Sequence, residues 1–452
     1  MSSAQVVGAG VFGASIAREL AKRGWAVTVV EQYAPGTVRS ASGGDTRLLR
    51  MAHGANGWYA DLAWRARSQW LELEEATGVR IFDPIGVAWF VHRDDGFEAA
   101  SRPVLDALRV PYEWLTPEEA GRLYPTLAGD DLVAVLFETA AGVLHARRAT
   151  QLLVETAERL GARLIPGRVT PGDDPPGDVV VWACGPWLRG LFPGLADVKV
   201  SRRDVFFFGG DAGWRDTPGF CDYDEAFYGH GELAGLGVKV APDLPGDDVD
   251  PDTLDRRPLP AWEETARAYA ARRFPSLADA PLVGSRVCQY DLSPDTHFFV
   301  DRHPERPSWW IVGGGSGHGF KHGPAFAEYV VDCIEGLRQP EAFHALGVRT
   351  GAPGLRTAAI RSKPPSTTNE EPVAYDAPGD ASQATIEAIS CADPGRLSGI
   401  AGRSTSVGST SSFPVIGVAI SPGATAFTRM PCGASSSAIC FVSPPSPCFA
   451  LV

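Results

Sequence analysis

Three glycines in the run Val7-Gly8-Ala9-Gly10-Val11-Phe12-Gly13, followed by an acid, Glu31, at the end of the next hydrophobic stretch, have the types and spacing to hold a dinucleotide. Gly8 permits a tight turn and Gly10 lets the backbone approach a pyrophosphate. Gly13 lets a helix sit close to the preceding strand, so that its first N–H groups, from Val11 and Phe12 onward, point at phosphate. A carboxylate at Glu31 can bond both ribose hydroxyls and would repel the 2′-phosphate of NADP. On these residues alone NAD and FAD both remain open.

Four further clusters pair glycine with cations or cysteine. They are Ser42-Gly43-Gly44-Asp45-Thr46-Arg47-Leu48-Leu49-Arg50, Tyr228 with Lys239, Arg286-Val287-Cys288-Gln289-Tyr290, and Gly313-Gly314-Gly315-Ser316-Gly317-His318-Gly319-Phe320-Lys321. Taken singly, most have bland explanations. Cys288 reads as a small packed hydrophobe, Arg50 and Lys321 as solvated charges, and Arg47 and Tyr228 as ordinary contacts. His318 reads as a residue that orients the glycine loop rather than as a base. Lys239 sits mid-strand between valines, where a charge is costly unless satisfied, or it reads as an edge-strand lysine that reaches out to water.

The elements needed to position these groups are visible in the hydrophobic pattern. Gln5–Val7 reads as a strand, Ala14–Arg23 as a helix and Trp25–Val30 as a second strand. Asp178–Trp187 and Trp309–Gly315 are continuous apolar runs ending in glycine turns, which suits parallel strands covered on both faces. Gly86–Val91, Asp204–Phe208, Ala226–Gly229 and Gly237–Val240 have antiparallel character, and Gly167–Gly177 reads as a turn. The expected fold is α/β (α+β overall): a discontinuous Rossmann-type domain over 1–80, 140–203 and 285–350, with an inserted, mostly antiparallel substrate domain over 81–139 and 204–284.

The chain has 452 residues and a formal net charge of −13, which argues against a nucleic-acid partner. No apolar run has the length of a membrane span, and the first strand begins too near Met1 for a signal peptide. The expectation is a cytoplasmic protein. The eight cysteines lack CxxC or His pairing, so neither a structural metal site nor a disulfide framework is expected. Beyond Gly351 the composition turns to Ser, Thr, Ala, Pro and Gly. Residues 351–452 therefore read as a disordered tail, with a partner-binding segment or a translation artefact as alternatives.

Together, the GDTR-x-x-R cluster, the Tyr228–Lys239 spacing, the Cys-x-Tyr element and SGHGFK resemble the monomeric sarcosine oxidase group of flavin-dependent amine oxidases, within the D-amino-acid oxidase superfamily. The resemblance spans roughly residues 4 to 345. It implies FAD, contacted by the fingerprint residues and by Ser42, Gly44, Arg47, Val169, Gly315, Gly317, His318, Gly319 and Lys321, and tethered by a thioether from Cys288 to the 8α-methyl group. It implies that Arg50 and Lys321 clamp a substrate carboxylate, that Lys239 assists O₂, and that Tyr228 lines the amine pocket. A monomer is expected. Two positions depart from the pattern: Gly43 and Asp243 stand where the group has histidines. They suggest a roomier pocket in which Asp243 holds a cationic or ring nitrogen, unless Pro242–Gly246 is merely an exposed turn.

The activity so implied is oxidation of a secondary or N-methylated amino acid to an imine, with hydride passing to flavin N5 and O₂ leaving as H₂O₂. Two rivals are an oxidase of a cyclic imino acid in secondary-metabolite tailoring and a non-catalytic flavoprotein that acts as a binding module.

Overall fold

Alternation along the first strand already separates two cores. In Ser3–Val7, Val6 faces a cluster with Ala14, Ile16, Leu153 and Val331, whereas Val7 joins Val180, Trp182, Trp309 and Ile311 on the opposite side. Val181, Trp310 and Val312 repeat the pattern toward the first cluster. Such strands must be covered on both faces. The computed structural model, which describes residues 1–346 and two short paired strands of a separate unit (Thr428–Pro431 and Ile439–Val442), builds them into a six-stranded sheet. Its strand order is Phe299–His303, Arg306–Gly313, Val179–Trp182, Ser3–Val7, Ala26–Glu31, Arg163–Pro166; all pairs are parallel except the first, which is antiparallel. The helix Val11–Lys22 packs against the helices Ala146–Arg159 and Gly323–Ile334.

Close approach of strand and helix at the first turn depends on glycine. Gly8 has a φ of +98°, and a Cβ on Gly13 would come 1.9 Å from the Gly8 carbonyl oxygen. Gly13→Ala is expected to push the helix off the strand and cost about 1–3 kcal/mol, as overpacked cores do. It would be read as a lower thermal midpoint; an unchanged midpoint would contradict this packing.

The second sheet has eight strands, in the order Leu282–Leu292, Lys199–Phe208, Val238–Pro242, Phe227–His230, Gly219–Asp222, Val87–Val91, Ala134–Glu138, Glu113–Leu115. One face packs Phe90, Phe206, Phe208, Phe220, Val238 and Val240 against the helix Pro260–Arg273. Period-two alternation sends the intervening residues the other way. Since Val238 and Val240 enter that core, Lys239 must face away from it. Register also aligns Trp89, Cys221 and Tyr228 across three neighbouring strands.

The domain boundaries expected at 203/204 and 284/285 each cut a strand of this second sheet, because Lys199–Phe208 pairs along nearly its whole length with Leu282–Leu292. Val87–Val91 also pairs parallel with Gly219–Asp222, although antiparallel with Ala134–Glu138. Its apolar alternation reported burial, not direction. A third, three-stranded sheet joins Thr46–Leu49, Gly142–His145 and Phe82–Asp83. The reading of 351–452 falls outside the described residues apart from the two strands named above. Among the described residues, no helix is long and apolar enough to cross a membrane.

Candidate active site

Three adjoining cavities meet at Arg47. The first, of about 120 Å³, is lined by Gly8, Gly10, Val11, Phe12, Glu31, Ser42, Arg47, Val169, Gly315, Gly317 and Gly319. The fingerprint turn is braced from both sides. Glu31 Oε2 accepts from the Ala9 N–H at 2.7 Å, and Ser42 Oγ accepts from the Val11 N–H at 2.8 Å. Asp291 Oδ2 holds the second glycine loop through the Gly315 N–H at 3.0 Å. Burial pushes the Asp291 carboxyl up to about 6.

The second cavity, of about 180 Å³, shares Arg47, Tyr290, Gly317 and Phe320 with the first. Arg50, Tyr228, Asp243, His318 and Lys321 are all in its wall, beside Trp89, Tyr223 and Phe227. Arg50 reaches it from the end of the small sheet. Its Nη1 donates to the Ala52 carbonyl at 2.8 Å, and its guanidinium lies 4.6 Å from the Trp89 ring centroid. The buried Glu138 carboxylate fixes this corner, accepting from Met51 N–H at 2.7 Å and Trp89 Nε1–H at 2.7 Å. Lys321 is only 2% exposed, and its Nζ donates to the His318 carbonyl at 2.8 Å. Burial, reinforced by Arg50, pulls the Lys321 ammonium well below the usual lysine range.

Tyr228 and Tyr290 bring their hydroxyls to 3.4 Å of each other. Burial, with Asp243 adding to it, pushes the Tyr228 phenol up to about 12. Asp243 follows its strand directly, with its N–H on the Ala226 carbonyl and its carboxylate 3.4 Å from Arg203 Nε. Nearly half its side-chain surface (47%) is accessible, and the residue lines the second cavity. Desolvation outweighs Arg203 and raises its carboxyl above the usual range.

The third cavity, of about 30 Å³, holds Lys239 and Cys288 with Gly43, Gly44 and Arg47. Lys239 is 2% exposed, and its Nζ donates to the Thr46 carbonyl at 3.2 Å. Burial, then the Arg47 charge, pulls the Lys239 ammonium down to about 7. The Cys288 thiol accepts from Arg47 Nη2 at 3.4 Å.

The expected site residues divide among these cavities. His318 and Lys321 line the second cavity and not the first, because the chain turns into a short 3₁₀ segment, Phe320–His322, after the glycine loop. Gly44 and Cys288 line the third cavity, and Gly13 packs on the strand instead of lining any cavity named here. Gly43 does not enlarge the pocket, since a Cβ there would meet the Thr37 carbonyl oxygen at 2.3 Å. Asp243 lies just past its strand with an exposed side chain and also lines the second cavity.

The model of the FAD dependent oxidoreductase family, DAO, matches residues 4–333. The chain belongs to that family. Among the relatives of this FAD dependent oxidoreductase is the monomeric sarcosine oxidase of Bacillus sp. (strain B-0618), 30% identical, with 72% of this chain and 89% of that protein covered. N-methyl-L-tryptophan oxidase of Yersinia pestis (strain Pestoides F) is 24% identical over 72% of this chain and 92% of its own. In fold it is similar to L-proline dehydrogenase from P. horikoshii (TM-score 0.65, 21% identity, 75% and 94% covered). It is likewise similar to fructosyl peptide oxidase from E. terrenum (TM-score 0.65, 21% identity, 76% and 91% covered).

The residues present suit FAD. Bare glycine backbone, helix N-terminal N–H groups and the Glu31 carboxylate line one continuous cavity that opens at Arg47, Tyr290 and Phe320 onto the second. Sequence reading missed Trp89, Tyr223, Glu138, Asp291, Arg203 and His53. For Trp89, Glu138, Arg203 and Asp291, which lie on strands, the available signal was alternation, since residues flanking a core-facing position point to the opposite face; His53 and Tyr223 lie outside the strands and had no such signal.

Proposed function

We propose that this FAD-dependent oxidoreductase is an oxidase of a secondary or N-methylated amino acid, acting as a cytoplasmic monomer with FAD tethered through Cys288. The observation that carries this reading is the second cavity, in which Arg50 and Lys321 stand on the wall of a pocket that opens directly onto the dinucleotide cavity. A guanidinium fork and an ammonium suit a carboxylate. The aromatic walls suit the apolar body of an amino acid, and Tyr228 and Asp243 suit its amine end.

FAD, when bound, supplies the two-electron oxidation of the amine to an imine, with O₂ as the final acceptor and H₂O₂ as product. The chain's own residues do the rest. Arg50 and Lys321 fix the acid end so that the amine carbon is presented toward Arg47, Tyr290 and Phe320, where the two cavities join; orientation of this kind is a large part of a bound reaction's advantage. The amine must be neutral, because its lone pair stabilises the forming imine, and the Arg50 and Lys321 charges oppose a cation nearby. Lys239, which shares the third cavity with Arg47 and whose Nζ lies 5.1 Å from the Tyr228 ring centroid, offers a fixed charge to O₂ as it accepts electrons.

A cyclic imino acid is the second reading. It is favoured by the flat walls formed by Trp89, Tyr223 and Tyr290 and by the Asp243 carboxylate. Product analysis separates the two: formaldehyde with peroxide indicates demethylation, and a ring-unsaturated product with peroxide indicates the cyclic substrate. A wide amine panel yielding no peroxide would leave the non-catalytic flavoprotein. For the tether, acid denaturation of the purified protein is expected to leave the yellow colour on the polypeptide, and Cys288→Ser is expected to release it. Release from the unaltered protein would remove the tether from the proposal.

A further inference from the structure

Three imidazoles converge beside the second cavity, His53 and His318 on its wall and His322 buried behind them, and they have no part in the reading above. His53 follows Arg50 closely in sequence, and His318 and His322 flank Lys321. Their ring centroids form a near-equilateral triangle with sides of 5.2, 5.6 and 5.9 Å. One ring nitrogen from each lies within 4.8 Å of the other two. His53 and His322 are 2% and 0% exposed. Four buried ring nitrogens have no hydrogen-bond partner: His53 Nε2, His318 Nδ1, and both of His322. An imidazole with no protein partner at either nitrogen inside a core has both positions open to a water or a metal ion.

The chemistry of the triangle narrows that ligand. A carbonyl can only accept, so His318 Nε2, 3.0 Å from the Thr296 oxygen, carries the proton and Nδ1 keeps its lone pair. A backbone carbonyl on the remote nitrogen is the usual brace of a metal-ligating histidine. The Tyr59 ring stands 4.9–5.7 Å from all three imidazoles, and Phe298 stacks on His318 at 4.8 Å. These rings keep the wall rigid and dry. Burial, with Lys321 next in weight for His53, His318 and His322 alike, keeps the imidazoles neutral, which is the ligating form. A donor set made only of imidazoles suits Zn²⁺, Co²⁺, Ni²⁺ or Cu²⁺ rather than Mg²⁺ or Ca²⁺.

We propose that His53, His318 and His322 bind a borderline divalent metal ion such as Zn²⁺, closing slightly around it and leaving its fourth position open to the cavity. Arg50 and Lys321 oppose a bare dication, so the fourth ligand is an anion, either chloride or the carboxylate of a molecule in the cavity.

The test uses the flavin-loaded full chain and the metal alone. After equilibrium dialysis against Zn²⁺, one ion per chain is expected, and Co²⁺ in its place is expected to give ligand-field absorption to the red of the flavin bands. His322→Phe and His53→Tyr, each checked for retained flavin, are expected to weaken binding by at least ~10-fold, since even outer-shell changes cost that much. Substoichiometric binding to the unaltered protein overturns the proposal without recourse to any variant. Equal binding by the unaltered protein and a folded variant overturns it as well.

Discussion

Arg50→Ala is expected to lower kcat/KM for a carboxylate-bearing amine by about two to three orders of magnitude, and for the same amine without its carboxylate by less than about tenfold. Truncating one partner of a buried, hydrogen-bonded charge pair costs ~2–5 kcal/mol, and each ~1.4 kcal/mol is tenfold. On the proposed function Arg50 makes such a pair with the substrate carboxylate. Arg50 Nη1 is anchored on the Ala52 carbonyl and the guanidinium is spread over Trp89, while Glu138 clamps the Met51 and Ala52 N–H groups beneath it. The side chain is therefore held in place before a ligand arrives. Lys321 remains in the variant, which sets the upper bound on the loss. Arg50→Lys is expected to recover only part of it, because a point charge lacks the planar fork. Steady-state kinetics on the two substrates decide the matter, and equal losses on both would remove Arg50 from the carboxylate site.

Lys239→Met should separate the two halves of the reaction. Anaerobic reduction of the bound flavin by substrate is expected to stay within a few-fold of the unaltered enzyme. Reoxidation by O₂ is expected to slow by ~10²–10³, the usual cost of deleting one preorganised group that meets developing charge. Lys239 is absent from the wall that holds Arg50 and Lys321, and it lies with Arg47 and Cys288 in the third cavity. A sign follows for pH. Burial and Arg47 bring the Lys239 ammonium down to about 7, so the cation is present below that pH and lost as pH rises through it. Reoxidation should therefore slow as pH rises through about 7 in the unaltered enzyme and stay flat in Lys239→Met. Stopped-flow mixing of reduced enzyme with O₂ across this range tests both statements; a normal rate in the variant would refute the role.

The local elements were legible because their signals are local. The Gly8–Gly13 fingerprint, the helix after it and the apolar runs Asp178–Trp187 and Trp309–Gly315 are short-period patterns, and each forms the expected element, the runs giving the strands Val179–Trp182 and Arg306–Gly313. Pairing direction was not legible, as the parallel register of Val87–Val91 with Gly219–Asp222 shows. Nor was the reach of a strand across an expected boundary, as at Leu282–Leu292, which carries Cys288 into the antiparallel sheet. Gly43 illustrates a third gap. Its missing side chain looked like released space, yet the Thr37 backbone already fills it.

By itself, the sequence determined the dinucleotide fingerprint, the two kinds of sheet and the identity of the cationic residues, because periodicity and residue chemistry are properties of short stretches. Only the tertiary structure decided which of those residues share a wall. It separated Lys239 and Cys288 from Arg50 and Lys321 with Arg47 between them, and it gathered His53, His318 and His322 into one triangle. Those neighbourhoods arise from strand register and loop closure over hundreds of residues. Burial then changes what each group is, bringing a lysine to about 7 and keeping imidazoles neutral. Desolvation depends on everything that surrounds a side chain, and no stretch of sequence around it contains that information.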